Sequence, residues 1–335
     1  MGRGCLAGWL LVAACATLGA GSLSAAGFAD IVPLEIDAAG ITRLATSPNG
    51  QTVYGIDESR RTVVAIDPFG GGRRRDVVAP ATEGRPHPVS LAALPGDIVA
   101  VVCRSAEDWS LQTYRARPGE PADAALPLQE VLLGRADGPE TVAMAASRIR
   151  GWFAVAGLPP PLPPVTRVAF AGPGVRRRPD EPWAGGAASR PIAVAIGPAD
   201  ELVTIEAAAG DGTASLVSKG HGGRELLRLD IGLADVRGVA FARDGSSLWV
   251  IAGAAAGPDP QPAGLWRLDA VFRDDRQAVQ PTCIVPLDDP QALAAVSDRS
   301  LVVVHGSQPR TISRIEVIAD SVVNPKDDQR EEGER

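Results

Sequence analysis

The sequence predicts an all-β fold, a six-bladed β-propeller with four antiparallel strands per blade. Three observations carry that expectation. A short apolar motif recurs as Ile41-Thr-Arg-Leu-Ala, Val89-Ser-Leu-Ala-Ala, Val142-Ala-Met-Ala-Ala, Ile192-Ala-Val-Ala-Ile, Val236-Arg-Gly-Val-Ala-Phe and Ala292-Leu-Ala-Ala-Val. Its starts lie 48, 53, 50, 44 and 56 residues apart, a period that marks a repeat architecture. The motifs are followed by short apolar or alternating runs bounded by Gly, Pro, Asn and Asp, which are strand signals, and no helical periodicity follows the N-terminal segment. Residues 31–318 span 288 positions, which six units of 48 fill.

Taken in order, the chain opens with an apolar stretch, Cys5 to Ala16, between Arg3 and the next charge at Asp30. A short basic start, an apolar centre and a small-residue exit describe a secretory signal peptide over residues 1–26, cut after Ala26. Val12-Ala-Ala-Cys15 also fits a bacterial lipoprotein box, with the lipid on Cys15. Either route exports the chain to the periplasm or beyond and leaves no transmembrane domain. Asp30 to Ile36 has no strands of its own to follow, so it is expected to supply the outer strand of the last blade, hiding an edge that would otherwise stay open.

Within each unit a turn follows the motif, as in Ser47-Pro-Asn-Gly, Leu94-Pro-Gly-Asp and Ala242-Arg-Asp-Gly, and leads into a second run such as Val53-Tyr-Gly-Ile or Leu248-Trp-Val-Ile. Third runs include Thr62-Val-Val-Ala-Ile-Asp and Gly264-Leu-Trp-Arg-Leu-Asp, and weaker fourth runs include Asp76-Val-Val-Ala and Leu226-Leu-Arg-Leu-Asp-Ile. One domain, 30–320, results, and the charged residues 321–335 read as a solvated tail.

Composition bounds the function. The net charge of −7 argues against a nucleic-acid partner. Lysine occurs only at 219 and 326, so 31 of the 33 basic residues are arginine. Cys103 and Cys283 fall on blades two and five, nearly opposite each other and beyond the ~7 Å that a disulfide spans; both read as small buried apolar residues.

Asp/Asn-Gly, then Leu/Val-Tyr/Trp-Val, a charged turn and Val-x-x-Ile-Asp resembles the repeats of YVTN-type and NHL-type propellers. The best copy is Val53-Tyr-Gly-Ile-Asp57 with Val63-Val-Ala-Ile-Asp67, followed by residues 236–269. The resemblance implies a fold rather than a function. Similar exported propellers include lactonases that hold a divalent cation, such as calcium, at the channel mouth through acids and asparagines. This chain has two asparagines, Asn49 in a turn on the other face and Asn324 in the tail, so an all-carboxylate cation site is what that alternative requires.

Recognisable catalytic signatures are missing: no phosphate or dinucleotide loop, no Gly-x-Ser-x-Gly elbow, no Cys-x-x-Cys and no calcium loop. No cofactor is therefore expected. Candidate ligand-binding residues come from the loops that join strand four to strand one and strand two to strand three, which share a face. His87, Glu140, Arg190 and Arg237 precede or open first strands, and Trp109 and His305 sit beside second-to-third loops. Each has a plainer alternative. His87 between two prolines reads as a turn residue, and His305 after three valines as a hydrogen-bonded structural histidine. Glu140, Arg190 and Arg237 read either as a ring for a polar ligand or as inter-blade ion pairs. Trp109 either stacks on a sugar or peptide or packs over the rim.

Arg73-Arg-Arg75 and Arg176-Arg-Arg178 are expected at third-to-fourth-strand turn tips on the opposite face, and read either as a grip for an anionic polymer or lipid headgroup or simply as a product of the arginine-rich composition. Residues 157–164 read as a polyproline II connection. The leading expectation is a monomeric, exported binding or scaffold protein for a protein, peptide or envelope polymer. A lactonase-like hydrolase is the alternative from the enzyme class. An accessory subunit of an exported redox system is a third.

Overall fold

The six recurring motifs fold as six innermost strands around one axis. The computed structural model describes residues 29–78, 86–116, 127–135, 142–149, 151–158, 165–171, 174–177, 190–207, 213–220, 224–256, 260–269, 281–307 and 309–318. The expected leader with Cys15, the polyproline segment 159–164 and the tail lie outside these residues. Among the described residues there is no helix long and apolar enough to cross a membrane.

Strand β1 (Ala29–Pro33) precedes the first blade, which comprises β2 (Ile41–Thr46), β3 (Val53–Asp57), β4 (Thr62–Ile66) and β5 (Arg74–Asp76). Blade two holds β6 (His87–Leu94), β7 (Ile98–Arg104), β8 (Asp108–Arg115) and β9 (Gln129–Arg135). Blade three holds β10 (Ala143–Ala146), β11 (Trp152–Ala156), β12 (Val165–Ala171) and β13 (Gly174–Arg177). Blade four holds β14 (Arg190–Ile196), β15 (Leu202–Ala207), β16 (Thr213–Lys219) and β17 (Glu225–Ala234). Blade five holds β18 (Val236–Phe241), β19 (Ser247–Ala252), β20 (Gly264–Asp269) and β21 (Thr282–Pro286). Blade six holds β22 (Ala292–Ala295), β23 (Ser300–His305) and β24 (Thr311–Val317), completed by β1. The closing ladder runs antiparallel from Ala29 opposite Val317 to Pro33 opposite Ser313.

Five of the six sheets pair their strands in sequence order, the sixth adds β1 beside β24, and the innermost strands β2, β6, β10, β14, β18 and β22 touch their neighbours around a closed ring. Six apolar clusters fill the seams, one between each pair of adjacent blades. Along every innermost strand a larger apolar residue is followed by alanine: Leu44-Ala45, Leu91-Ala92, Met144-Ala145, Val194-Ala195, Val239-Ala240 and Leu293-Ala294. Successive side chains of a strand point to opposite faces. The larger member packs on the preceding blade, and Ala45, Ala145, Ala195, Ala240 and Ala294 face the following one. Wedges converge at the axis, so one face of each strand must be small there.

Two sequence expectations change. Arg74 and Arg75 belong to β5 rather than to a turn tip; Arg74 pairs with Asp57, and Arg75 Nη2 donates to the Ala116 carbonyl at 2.6 Å. Arg176 and Arg177 likewise lie in β13, and Arg178 is outside the described residues. The backbone pairing of the fourth strands absorbs both runs. Cys103 and Cys283 are free thiols, buried and half-buried respectively, as their placement on separate blades required.

Candidate functional site

The propeller axis carries two cavities, one toward each end. The wider, of about 310 Å³, opens where the innermost strands begin. In four of the six strands the register slips at that end, leaving Thr42, Val89, Ile192 and Arg237 as the extra residues. Bulges at a rim re-aim side chains and end regular pairing. The polar lining is Arg43, Ser90, Arg237 and Gln291, above a floor of Leu44, Leu91, Met144, Val194, Val239 and Leu293, one from each blade. The same six side chains roof the second cavity, of about 110 Å³, where the six alanines form the next tier toward the narrow end. The floor is therefore an apolar belt between two chambers.

The two mouth arginines differ. Arg237 donates through Nη2 to Asp235 Oδ2 at 2.7 Å, and through Nη1 to Asp289 of blade six and to the Pro290 carbonyl at 3.2 Å. The hydrogen bond to Asp235 raises its pKa, and the same guanidinium holds the Asp289 carboxyl below the usual carboxylate range. It is an inter-blade ion pair, the plainer of its two readings. Arg43 donates Nη1 to the Thr42 carbonyl at 3.0 Å, and no described carboxylate forms an ion pair with it. Burial pulls its pKa down, and Glu58 pushes it back only in part. Glu58 Oε1 itself accepts the Thr42 hydroxyl at 2.8 Å. Neither cavity is lined by an acid.

The remaining expected residues scatter. His87 opens β6 and is exposed, beside Arg61 and Arg104 in a separate 340 Å³ cleft between blades one and two. Trp109 lies in β8, not in a loop; it is 0% exposed in the seam of blades two and three, with the Arg104 guanidinium 5.5 Å from its ring centroid. Its ring is thus covered rather than offered to a ligand. His305 ends β23, with Nε2 2.9 Å from Ser313 Oγ on β24 of the same blade. Burial lowers its pKa and Asp288 opposes this. Arg190 opens β14, and Glu140 lies outside the described residues. Among the described residues no group of three or more His, Cys, Asp or Glu is placed to hold a metal ion.

Sequence reasoning looked to loops and so passed over Arg43, Ser90 and Gln291. The available signal was inside the recurring motif, where Arg43 and Ser90 occupy the position just before the large–Ala pair.

Similar solved structures share this fold. Aldose sugar dehydrogenase from Streptomyces coelicolor, solved in a PQQ-bound form, aligns with a TM-score of 0.59 at 15% identity over 87% of this chain and 98% of that one. Kuenenia stuttgartiensis hydrazine synthase aligns at 0.52 and 16% identity over 81% and 75%. The β-propeller domain of Cps50 (Swd1) from Myceliophteria thermophila aligns at 0.50 and 13% over 87% and 100%. No protein-family model and no curated protein matches the chain. These likenesses establish the propeller and leave its ligand to the residues.

Proposed function

We propose that the chain is an exported, monomeric binding module that engages a protein, peptide or envelope polymer at the wide mouth, through an acidic group seated on Arg43. The observation that carries the reading is the lining: the half-buried Arg43 guanidinium, influenced by Glu58 but in no ion pair with a described carboxylate, lines a 310 Å³ cavity that no acid lines. A cleft of one sign with low-dielectric walls focuses field and attracts the opposite charge. The apolar floor below supplies contact area for the stem of the bound group, the mixture typical of ligand pockets. With Arg237 already held by Asp235 and Asp289, it is the Arg43 guanidinium that favours an anionic guest over the cation that a lactonase-type site holds. Export rests on the apolar residues 5–16 with a small-residue exit, and anchoring through Cys15 is part of the same proposal. The kinship with YVTN- and NHL-type repeats rests on residues 53–67 and 236–269.

A photo-crosslinker replacing Gln291 at the mouth, compared with one replacing the exposed Asn49 on the opposite face, tests the reading in envelope extract. Adducts from position 291 and none from 49 are expected. Arg43→Gln removes one charge-assisted hydrogen bond, worth ~1.5–3 kcal/mol, and so weakens capture by roughly tenfold to a hundredfold. Equal labelling at both positions, or metal-dependent turnover of lactones by the purified protein, overturns the reading.

A further inference from the structure

At the narrow end of the axis two arginines from different blades converge. Arg148 sits in the turn between β10 and β11, and Arg243 in the turn between β18 and β19. Arg148 Nη1 lies 3.5 Å from the carbonyl of Arg243, so it crosses blade four to reach blade five. Arg243 Nη1 lies 3.5 Å from the Val296 carbonyl of blade six, and its Nη2 donates to the Pro48 carbonyl of blade one. Gly50 keeps that path open. At φ +75° a Cβ there would stand 2.5 Å from Arg243 Nη1 and 2.3 Å from the Val296 oxygen.

The contacts of both guanidinium groups are thus to main-chain carbonyls, two of them at the outer limit of a hydrogen bond. Each guanidinium carries five N–H donors, so most of them are left over. The two groups are like charges held together: Arg243 depresses the pKa of Arg148, in addition to the larger effect of burial, and Asp298 offsets this only in part. Asp298 is exposed, and its Oδ1 accepts the Asp244 amide at 2.8 Å. Arg148 also lines the 110 Å³ cavity, whose lining holds no acid. At ~30 Å³ per water that space equals three to four waters, room for a four-oxygen anion.

We propose that the narrow end is a binding site for a phosphate group, held between Arg148 and Arg243. Each planar fork takes two acceptor oxygens side by side. Arg148 lines the cavity and the Arg243 guanidinium spans the same narrow end beside it, between the Val296 and Pro48 carbonyls; together the pair offers more N–H donors than a single carboxylate can take, and a phosphate supplies the further oxygens. The bound group joins blade three to blade five, and through Arg243 to blades six and one, so binding also ties the ring. The site lies on the face opposite Arg43 and stands or falls separately from the function proposed above.

Thermal unfolding of the mature protein in potassium phosphate, against potassium chloride at equal ionic strength and pH, is the first test. A saturable rise in Tm is expected, with broadening of the phosphorus-31 resonance. Arg148→Gln and Arg243→Gln should abolish both, and Arg73→Gln, on an exposed turn, should leave both intact. Arg243→Lys keeps the charge and loses the fork; it should weaken binding at least tenfold, and serves where a glutamine variant fails to fold. Flotation with phosphatidic acid vesicles, against phosphatidylcholine, separates a lipid headgroup from free phosphate as the source. Retention lost in the Arg148 and Arg243 variants assigns the lipid; a response to soluble phosphate alone assigns the free ion. No response to either, or a response unchanged in the Arg148 and Arg243 variants, overturns the proposal.

Discussion

Glu206 on β15 and Lys219 on β16 are each 1% exposed, with Nζ 3.6 Å from Oε1 inside blade four. Glu206 also accepts Thr204 Oγ1 at 3.2 Å and Arg228 Nη2 at 3.0 Å. Glu206→Gln preserves volume and polarity, yet leaves the Lys219 ammonium buried without its counter-charge. Breaking a buried pair in this way costs ~3–5 kcal/mol. Over the 288 residues of the ring, an unfolding entropy of about 2.1 cal/mol/K per residue gives ~0.6 kcal/mol per degree. Tm should therefore fall by about 5–8 °C. Adding Lys219→Met removes the stranded charge and should restore most of the loss, since an apolar replacement of a buried pair is often close to neutral. Circular dichroism melts of the two variants and the parent measure this. A single variant within 1 °C of the parent, or a double variant less stable than the single one, refutes the reasoning.

Ala195→Leu places three extra carbons into the seam of blades four and five, where Ala195 is 4% exposed. Overpacking of ~1–3 kcal/mol is expected, read as a lower urea midpoint with the far-ultraviolet spectrum preserved. His305 has a folded pKa held below its ordinary value by burial. Its contribution to stability is complete above about pH 6.5 and is lost as pH falls from there through the lowered value. A pH series of urea melts shows that slope, and His305→Gln should flatten it. The Cys103 thiol is pushed up to about 12 by burial and by Glu130, so iodoacetamide at pH 8 should spare it in the native protein and label it after unfolding; rapid native labelling contradicts its placement.

Much of the ring was legible because it is written in volume. A large residue followed by alanine recurs in all six motifs, and convergence at an axis demands that alternation at the innermost strand and nowhere else. The closing strand was legible from Asp30 to Ile36, an apolar run with no partner downstream. Positions fixed by backbone register were not. Trp109 follows two acids in sequence and looks like a loop residue, but pairing with Arg104 draws it into β8 and turns its ring inward. The arginines at 73–75 look like a tip, but Arg74 and Arg75 pair into β5. The mouth was sought among loops, whereas bulges carry the innermost strands to the rim, and so Arg43 rather than His87 faces the axis.

The meeting of β1 with β24 fixes how the molecule stands relative to anything joined to its ends. Ala29 lies directly opposite Val317, so the chain arrives and departs at one point on the circumference of blade six. Third strands run toward the side that bears the turns between first and second strands, and both ends therefore emerge on the side of Arg148 and Arg243. A fusion partner joined beyond Ala29 or Val317 is therefore attached on that side, and the Arg43 opening is on the far one.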